Sequence, residues 1–183
     1  MEQVVQEIRN GRAEIGFTFE PEHKDGLIFD SLFTDRFVVV ANKAQAARFN
    51  QKPSWRECLA FPLVMMNRGS AVRKWTEAEL CRYGEPNIVA ETGQLATLGK
   101  LIKSGLGISI MPSICKPQME ALGVKALEFV DSPLLKRVGL LRNERRGLSV
   151  SAQTLWKLTV SHYESSHYES SQYEHYDERT PTQ

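Results

Sequence analysis

Two short polar stretches carry the residue types that bind small anions. Gly69-Ser70 stands ahead of an apolar-periodic run beginning at Val72, and Thr92-Gly93-Gln94 stands ahead of another beginning at Leu95. A helix start leaves its first N–H groups without intrahelical partners and is the positive end of the helix dipole. A hydroxyl beside those N–H groups can therefore hold a carboxylate or sulfate-like group without a cationic side chain. The same residue types serve as plain helix caps, because a Ser or Thr hydroxyl accepts a hydrogen bond from the first turn. Spacing alone favours capping.

Other chemistry is sparse. The histidines are His23 in a polar loop and His162, His167 and His175 near the C-terminus, and none stands in a metal-ligand spacing with Cys or carboxylate. Cys58, Cys81 and Cys115 have no histidine nearby in sequence, which argues against a catalytic thiol. There is no nucleophile elbow and no phosphate loop. Gly105-Leu106-Gly107 is too short for a dinucleotide fingerprint and follows a helix instead of preceding one. Arg142, Arg145 and Arg146 read as a solvated loop before a helix. No catalytic residue, metal or cofactor is expected.

The elements that must position the two polar stretches are clearest at residues 91–112. Leu95, Leu98 and Ile102 fall on one helical face, with Leu101 widening it, and Thr92 is placed to cap. Lys100 and Lys103 suit the negative end of the helix, and Gly105 suits the left-handed residue beyond it. Ile108, Ile110 and Met111 then form a short buried strand that stops at Pro112.

Elsewhere, Val4, Val5 and Ile8 mark a helix ended by Asn10-Gly11. Strands are expected at 13–19, at 37–41 with both faces buried, at 61–66, 87–91, 124–130 and 136–142, with 27–33 extended. Helices are expected at 72–83, 117–122 and 149–160, and one or two turns at 53–59. Alternation of strand and helix implies an α/β fold with mainly parallel pairing, in which sites lie beyond the carboxyl ends of strands.

The 183 residues allow one domain or two small lobes, and 42% apolar content supports a packed core. A net charge of +1, from 23 basic and 22 acidic residues, gives no reason to expect nucleic-acid binding by this stretch. No apolar run reaches membrane-spanning length, and the first residues lack a secretory signal core. Three widely spaced cysteines suit free, mostly buried thiols in a reducing compartment, hence a cytoplasmic protein. Residues 161–170 read Ser-His-Tyr-Glu-Ser twice, 171–176 continue as Ser-Gln-Tyr-Glu-His-Tyr, the repeat has no aliphatic side chain, and 161–183 read as a disordered low-complexity tail.

The run Leu101-Ile102-Lys103-Ser104-Gly105-Leu106-Gly107-Ile108-Ser109-Ile110-Met111-Pro112 resembles the effector-binding domain of LysR-type transcriptional regulators. Gly11 to Gly16, Leu32-Phe33 through Val40, Arg137 to Leu140 and Arg145 to Ser149 resemble further family segments in the same order. The resemblance covers roughly residues 3–160. It departs after Ala41-Asn42, where the family has His-Pro-Leu and this chain has Lys43-Ala44-Gln45, and in the repeat tail.

The resemblance implies a two-lobed periplasmic-binding-protein type 2-like fold. Lobe I would be 1–41 with 128–160, lobe II 42–127, and lobe I would be incomplete at its N-terminal side. It implies a module that senses a small, anionic organic effector and belongs to a homo-oligomer. DNA would be met only through a winged helix-turn-helix that these residues do not match. The expected effector contacts are Phe17 and Thr18 from lobe I, Gly69, Ser70, Thr92, Gly93 and Gln94 from lobe II, and Met111 and Ser113 at the rim. A solute-binding protein, an enzyme on a similar fold and a non-functional fragment are the competing readings. Free cysteines and the lack of a signal segment count against the first, and the lack of clustered acid, base and nucleophile against the second. Unpaired sheet edges would make a fragment poorly soluble.

Overall fold

A computed structural model describes residues 1–49, 52–130 and 134–174, with side chains as far as Glu164. The chain divides into two compact units, Met1–Thr34 with Arg137–Gln183, and Asp35–Lys136.

The first unit opens with α1 (Glu2–Asn10), whose buried side chains are Val5 and Ile8. Gly11 ends it with φ 71°, a left-handed conformation that glycine adopts without strain. β1 (Gly16–Phe19) pairs antiparallel with β7 (Leu135–Asn143), Phe17 opposite Leu140 and Thr18 opposite Gly139. β2 (Leu27–Ala41) begins in this unit. A Cβ at Gly139 would run into the Asp30 carbonyl oxygen, so glycine is what allows β7 to approach β2 so closely. Val5, Ile8, Leu27 and Leu141 form the core, with Ala13 and Phe29 against it.

α7 (Val150–Glu174) follows. The residues expected to be tail from 161 onward continue this helix to Glu174. No Gly or Pro interrupts 150–174, and Tyr163 stacks on Phe33 at 5.3 Å between ring centroids, which gives the start of the repeat a packing partner. The remainder of the expected tail, 175–183, lies outside the described residues.

The second unit takes the rest of β2. Its residues Phe37–Val40 pair with β5 (Ser109–Pro112) and Val38–Ala41 with β6 (Lys125–Glu128), both antiparallel. This pairing is why residues 35–41, expected in the first lobe, belong to the second unit. β3 (Leu63–Met66) and β4 (Ile88–Thr92) are parallel, with Met66 opposite Thr92. β3 also bridges parallel to Ile108 just before β5: Val64 N–H donates to the Ile108 carbonyl at 2.8 Å.

The expectation of mainly parallel pairing is therefore corrected. The β1–β7, β2–β5 and β2–β6 pairs are antiparallel, and parallel neighbours arise at β3. A helical crossover returns the chain in the same direction, so parallel neighbours need one between them. Here α4 (Ala71–Leu80) does so between β3 and β4, whereas the long strand β2 meets partners from distant parts of the chain.

The remaining helices are α2 (Lys43–Ala46), α3 (Trp55–Cys58), α5 (Leu95–Lys103) and α6 (Lys116–Ala121), with a 3-10 turn at Ser113–Cys115 ahead of α6. Alternation along β2 feeds two cores. Phe37 and Val39 pack with Trp55, Leu63 and Met65, while Val38 and Val40 pack with Val64, Leu98, Ile102 and Met111. The segment 37–41 is thus buried on both faces, as its unbroken apolar run requires.

Candidate ligand site

β3 lies between β4 and the start of β5, so the loops after these strands gather at one edge of the second unit. Asn67 N–H donates to the Thr92 carbonyl at 3.0 Å and joins the first two loops. Ser70 N–H donates to the Asn67 carbonyl at 2.9 Å and closes the turn into α4. A Cβ added at Gly69 would meet nothing within 4 Å, so open space adjoins this backbone. At Gly93 it would come within 3.2 Å of the Asn67 amide nitrogen, so a side chain there would crowd the loop.

The helix starts differ in how they are satisfied. Asn42 caps α2, accepting from Gln45 N–H at 2.8 Å. Ser54 and Glu57 form a reciprocal capping box at α3. The turn before α6 is held by Asp35, whose carboxylate accepts from Ser113 N–H at 3.1 Å, Ser113 hydroxyl at 2.5 Å and Ile114 N–H at 3.2 Å. Asp35 is only 3% exposed. By contrast, Ser70 at α4 and Gln94 at α5 occupy the cap positions and make no side-chain capping hydrogen bond. Two helices of ten and nine residues therefore present first-turn N–H groups at this edge without a cap from the chain.

Beneath the loops lies Arg73, 1% exposed on α4. Its guanidinium donates to Glu77 at 2.8 Å, contacts Glu91 at 3.2 Å and reaches the Met66 carbonyl at 3.4 Å. The hydrogen bond to Glu77 holds the guanidinium pKa above its ordinary value, and the same bond holds the Glu77 carboxyl below its own. Arg68 pairs with Glu91 at 3.5 Å. These charges tie the ends of β3 and β4 to α4, so Arg73 is committed inside the unit.

Of the expected contacts, Gly69, Ser70, Thr92, Gly93, Gln94 and Ser113 come together at this edge. Thr92 ends β4 instead of capping α5: its hydroxyl accepts from Gln94 N–H at 3.2 Å, two residues on, as its short side chain allows. Ser113 donates its hydroxyl proton to Asp35, leaving lone pairs. Met111 is 2% exposed and packed in the core, because both faces of β5 are buried, so its side chain presents nothing to a ligand. In the first unit Thr18 is 7% exposed, whereas Phe17 is 47% exposed with its ring 6.4 Å from Phe33.

Sequence reasoning missed Arg73, Glu91 and Asp35. The Arg73–Glu77 spacing of four was a legible helix-pair signal. Asp35 lies 78 residues from Ser113 and had none.

Among the described residues no group of His, Cys, Asp and Glu could hold a metal ion. Burial pushes the Cys58 thiol up to about 12 and the Cys115 thiol up to about 11, so both stay protonated at neutral pH. The expectation of mostly buried thiols holds at Cys58 and, in part, at Cys115, whereas Cys81 is exposed. Among the described residues no helix is long and apolar enough to cross a membrane.

Two α/β units linked through two long strands, with open helix starts at the ends of parallel strands, define a small-molecule-binding domain of the periplasmic-binding-protein type 2-like class. The chain belongs to the LysR substrate binding domain family, whose model matches residues 1–164. This is a family of transcriptional regulators. Over 157 residues the chain is 30% identical to the uncharacterized HTH-type transcriptional regulator YfeR of Shigella flexneri, covering 84% of this chain and 50% of that protein. The chain thus spans about half the length of the curated relative it matches.

Its fold is similar to the effector binding domain of QuiR in complex with shikimate, with a TM-score of 0.79, 15% identity and coverage of 90% of this chain and 78% of that one. It is also similar to the Synechocystis PCC6803 CcmR regulatory domain in complex with 2-PG, with a TM-score of 0.75, 18% identity and coverage of 87% and 78%. At these identities the likeness is one of fold.

Proposed function

We propose that this domain senses a small organic anion whose acid group sits at the starts of α4 and α5. Ser70 donates a hydroxyl, the first-turn N–H groups of α4 and α5 donate from the backbone, and Thr92 shapes the loop between them. Ser113, with its proton spent on Asp35, accepts from a donor on the effector. The observation that carries this reading is that these two helix starts lack the side-chain caps found at α2 and α3. Two α-helix starts on adjacent parallel strands attract negative charge without a cationic partner. Shikimate, named with the QuiR domain, is a carboxylate and supports the chemistry by analogy.

Effector binding stabilises one arrangement of the domain, and a two-state shift in a homo-oligomer carries that preference to DNA-binding heads. The DNA contact belongs to a winged helix-turn-helix outside these residues, and the protein works in the cytoplasm as a sensor without catalysis.

A thermal-shift screen against small carboxylates tests this. A ligand at one hundred times its dissociation constant stabilises by about 2.7 kcal/mol. Ser70→Ala should weaken that ligand by about tenfold. Unchanged responses in both Ser70→Ala and Thr92→Ala would show that the effector is held elsewhere.

A further inference from the structure

The first unit has a cavity of about 290 Å³ that the effector reading does not use, lined by Arg142, Leu148, Gln153, Trp156 and Lys157. Gln153, Trp156 and Lys157 stand at i, i+3 and i+4 on α7 and so share one helix face. Arg142 reaches the cavity from the end of β7, and Leu148 from the loop before α7. Two bonds stiffen the lining. Trp156 Nε1–H donates to the Asp30 carboxylate at 3.1 Å, and the Gln153 amide donates to the Leu148 carbonyl at 2.9 Å.

The Arg142 guanidinium lies 5.6 Å from the centre of the Trp156 ring, where a cation is attracted to the π-face. Among the described residues neither Arg142 nor Lys157 has a carboxylate within ion-pair distance. Two acids of the unit already have partners: Asp30 accepts from the Trp156 indole at the cavity, and Glu14 accepts from Ser149 N–H at 2.6 Å and its hydroxyl at 2.8 Å. A pinned aromatic ring, an aliphatic wall and two cations without acid partners thus line one small cavity.

We propose that this cavity binds a second small ligand, a monocarboxylate with a flat apolar body. The carboxylate pairs with Arg142 and Lys157, since guanidinium and carboxylate form paired charge-assisted hydrogen bonds. The body packs on Trp156 and Leu148. The volume is near the lower end for small-molecule sites, which start at roughly 300 Å³, and suits a single-ring acid. This site belongs to the first unit, and the Ser70 site belongs to the second.

Benzoate is the probe. Trp55, Trp75 and Trp156 are the three tryptophans, so a nitrogen-15 spectrum has three indole signals, and Trp156→Phe assigns the relevant one. Benzoate should shift the Trp156 signal saturably and leave the other two in place, and benzyl alcohol should bind at least tenfold more weakly. Lys157→Ala, at an exposed position, should weaken benzoate about tenfold with native Trp55 and Trp75 signals. Arg142→Ala should do the same or more. Absence of a saturable Trp156 shift, or unchanged affinity in both variants, overturns the proposal. So does loss of the shift in Ser70→Ala, which would place benzoate in the second unit. A Trp156 response that persists while no carboxylate responds to Ser70→Ala upholds this site and removes the earlier one.

Discussion

The starts of α7 and α4 face the same physical demand and meet it in opposite ways. At α7 the chain supplies its own anion. Glu14, from the segment before β1, takes the N–H and hydroxyl of Ser149, and those bonds hold its carboxyl below the usual range. Asp35 does the same for the turn before α6. At α4 no side chain caps the helix, although a serine occupies the cap position. Local side chains cap α2 and α3, whereas distant carboxylates hold Ser149 at α7 and the turn before α6. At α4 and α5 no side chain does so, and these starts are left for solvent or a ligand.

The contrast breaks first at Asp35. Asp35→Ala removes a buried carboxylate and strands two N–H groups and a hydroxyl, so unfolding in urea should show a loss of roughly 2–4 kcal/mol. A loss under about 0.5 kcal/mol would mean the filled starts contribute nothing, and the open ones would lose their significance.

Serine variants sharpen it further. Ser54→Ala, at a cap that is made, should cost about 1 kcal/mol, whereas Ser70→Ala, at a cap that is not, should change stability by less than about 0.5 kcal/mol. Equal losses would show that Ser70 caps α4 in solution.

A smaller effect is expected from acid. Hydrogen bonds from Ser149 lower the Glu14 pKa, and those from Ser54 lower that of Glu57. The stabilisation is therefore present above the unfolded value of about 4.3 and is lost as pH falls through the lower folded values. The melting temperature should fall on acidification below about pH 4, and Glu57→Gln should remove part of that slope. A slope unchanged by Glu57→Gln would count against the capping box.

Much of the fold was legible. The apolar spacing of 95–102 places Leu98 and Ile102 in the core, where the structure has them. The unbroken run 37–41 required burial on both faces, and two cores meet it. The continuity of β2 was not legible, because Asp30, Ser31 and Asp35 interrupt its apolar pattern. Nor was strand direction, which depends on which strands become neighbours. Within the candidate site, the loops at 69–70 and 92–94 were singled out from residue type. The capping assigned to Thr92 was not met, because a hydroxyl at that position reaches Gln94 N–H before the helix begins.

By itself the sequence determined the elements whose information is local: helix faces, stops at Gly11 and Gly105, and the polar loops that could receive an anion. Only the tertiary structure decided which helix starts are filled and which stay open. At Ser149 and at the turn before α6 that choice rests on carboxylates 135 and 78 residues distant from the groups they satisfy. A hydrogen bond across such a separation leaves no trace in local periodicity, because its geometry exists only once the strands have paired.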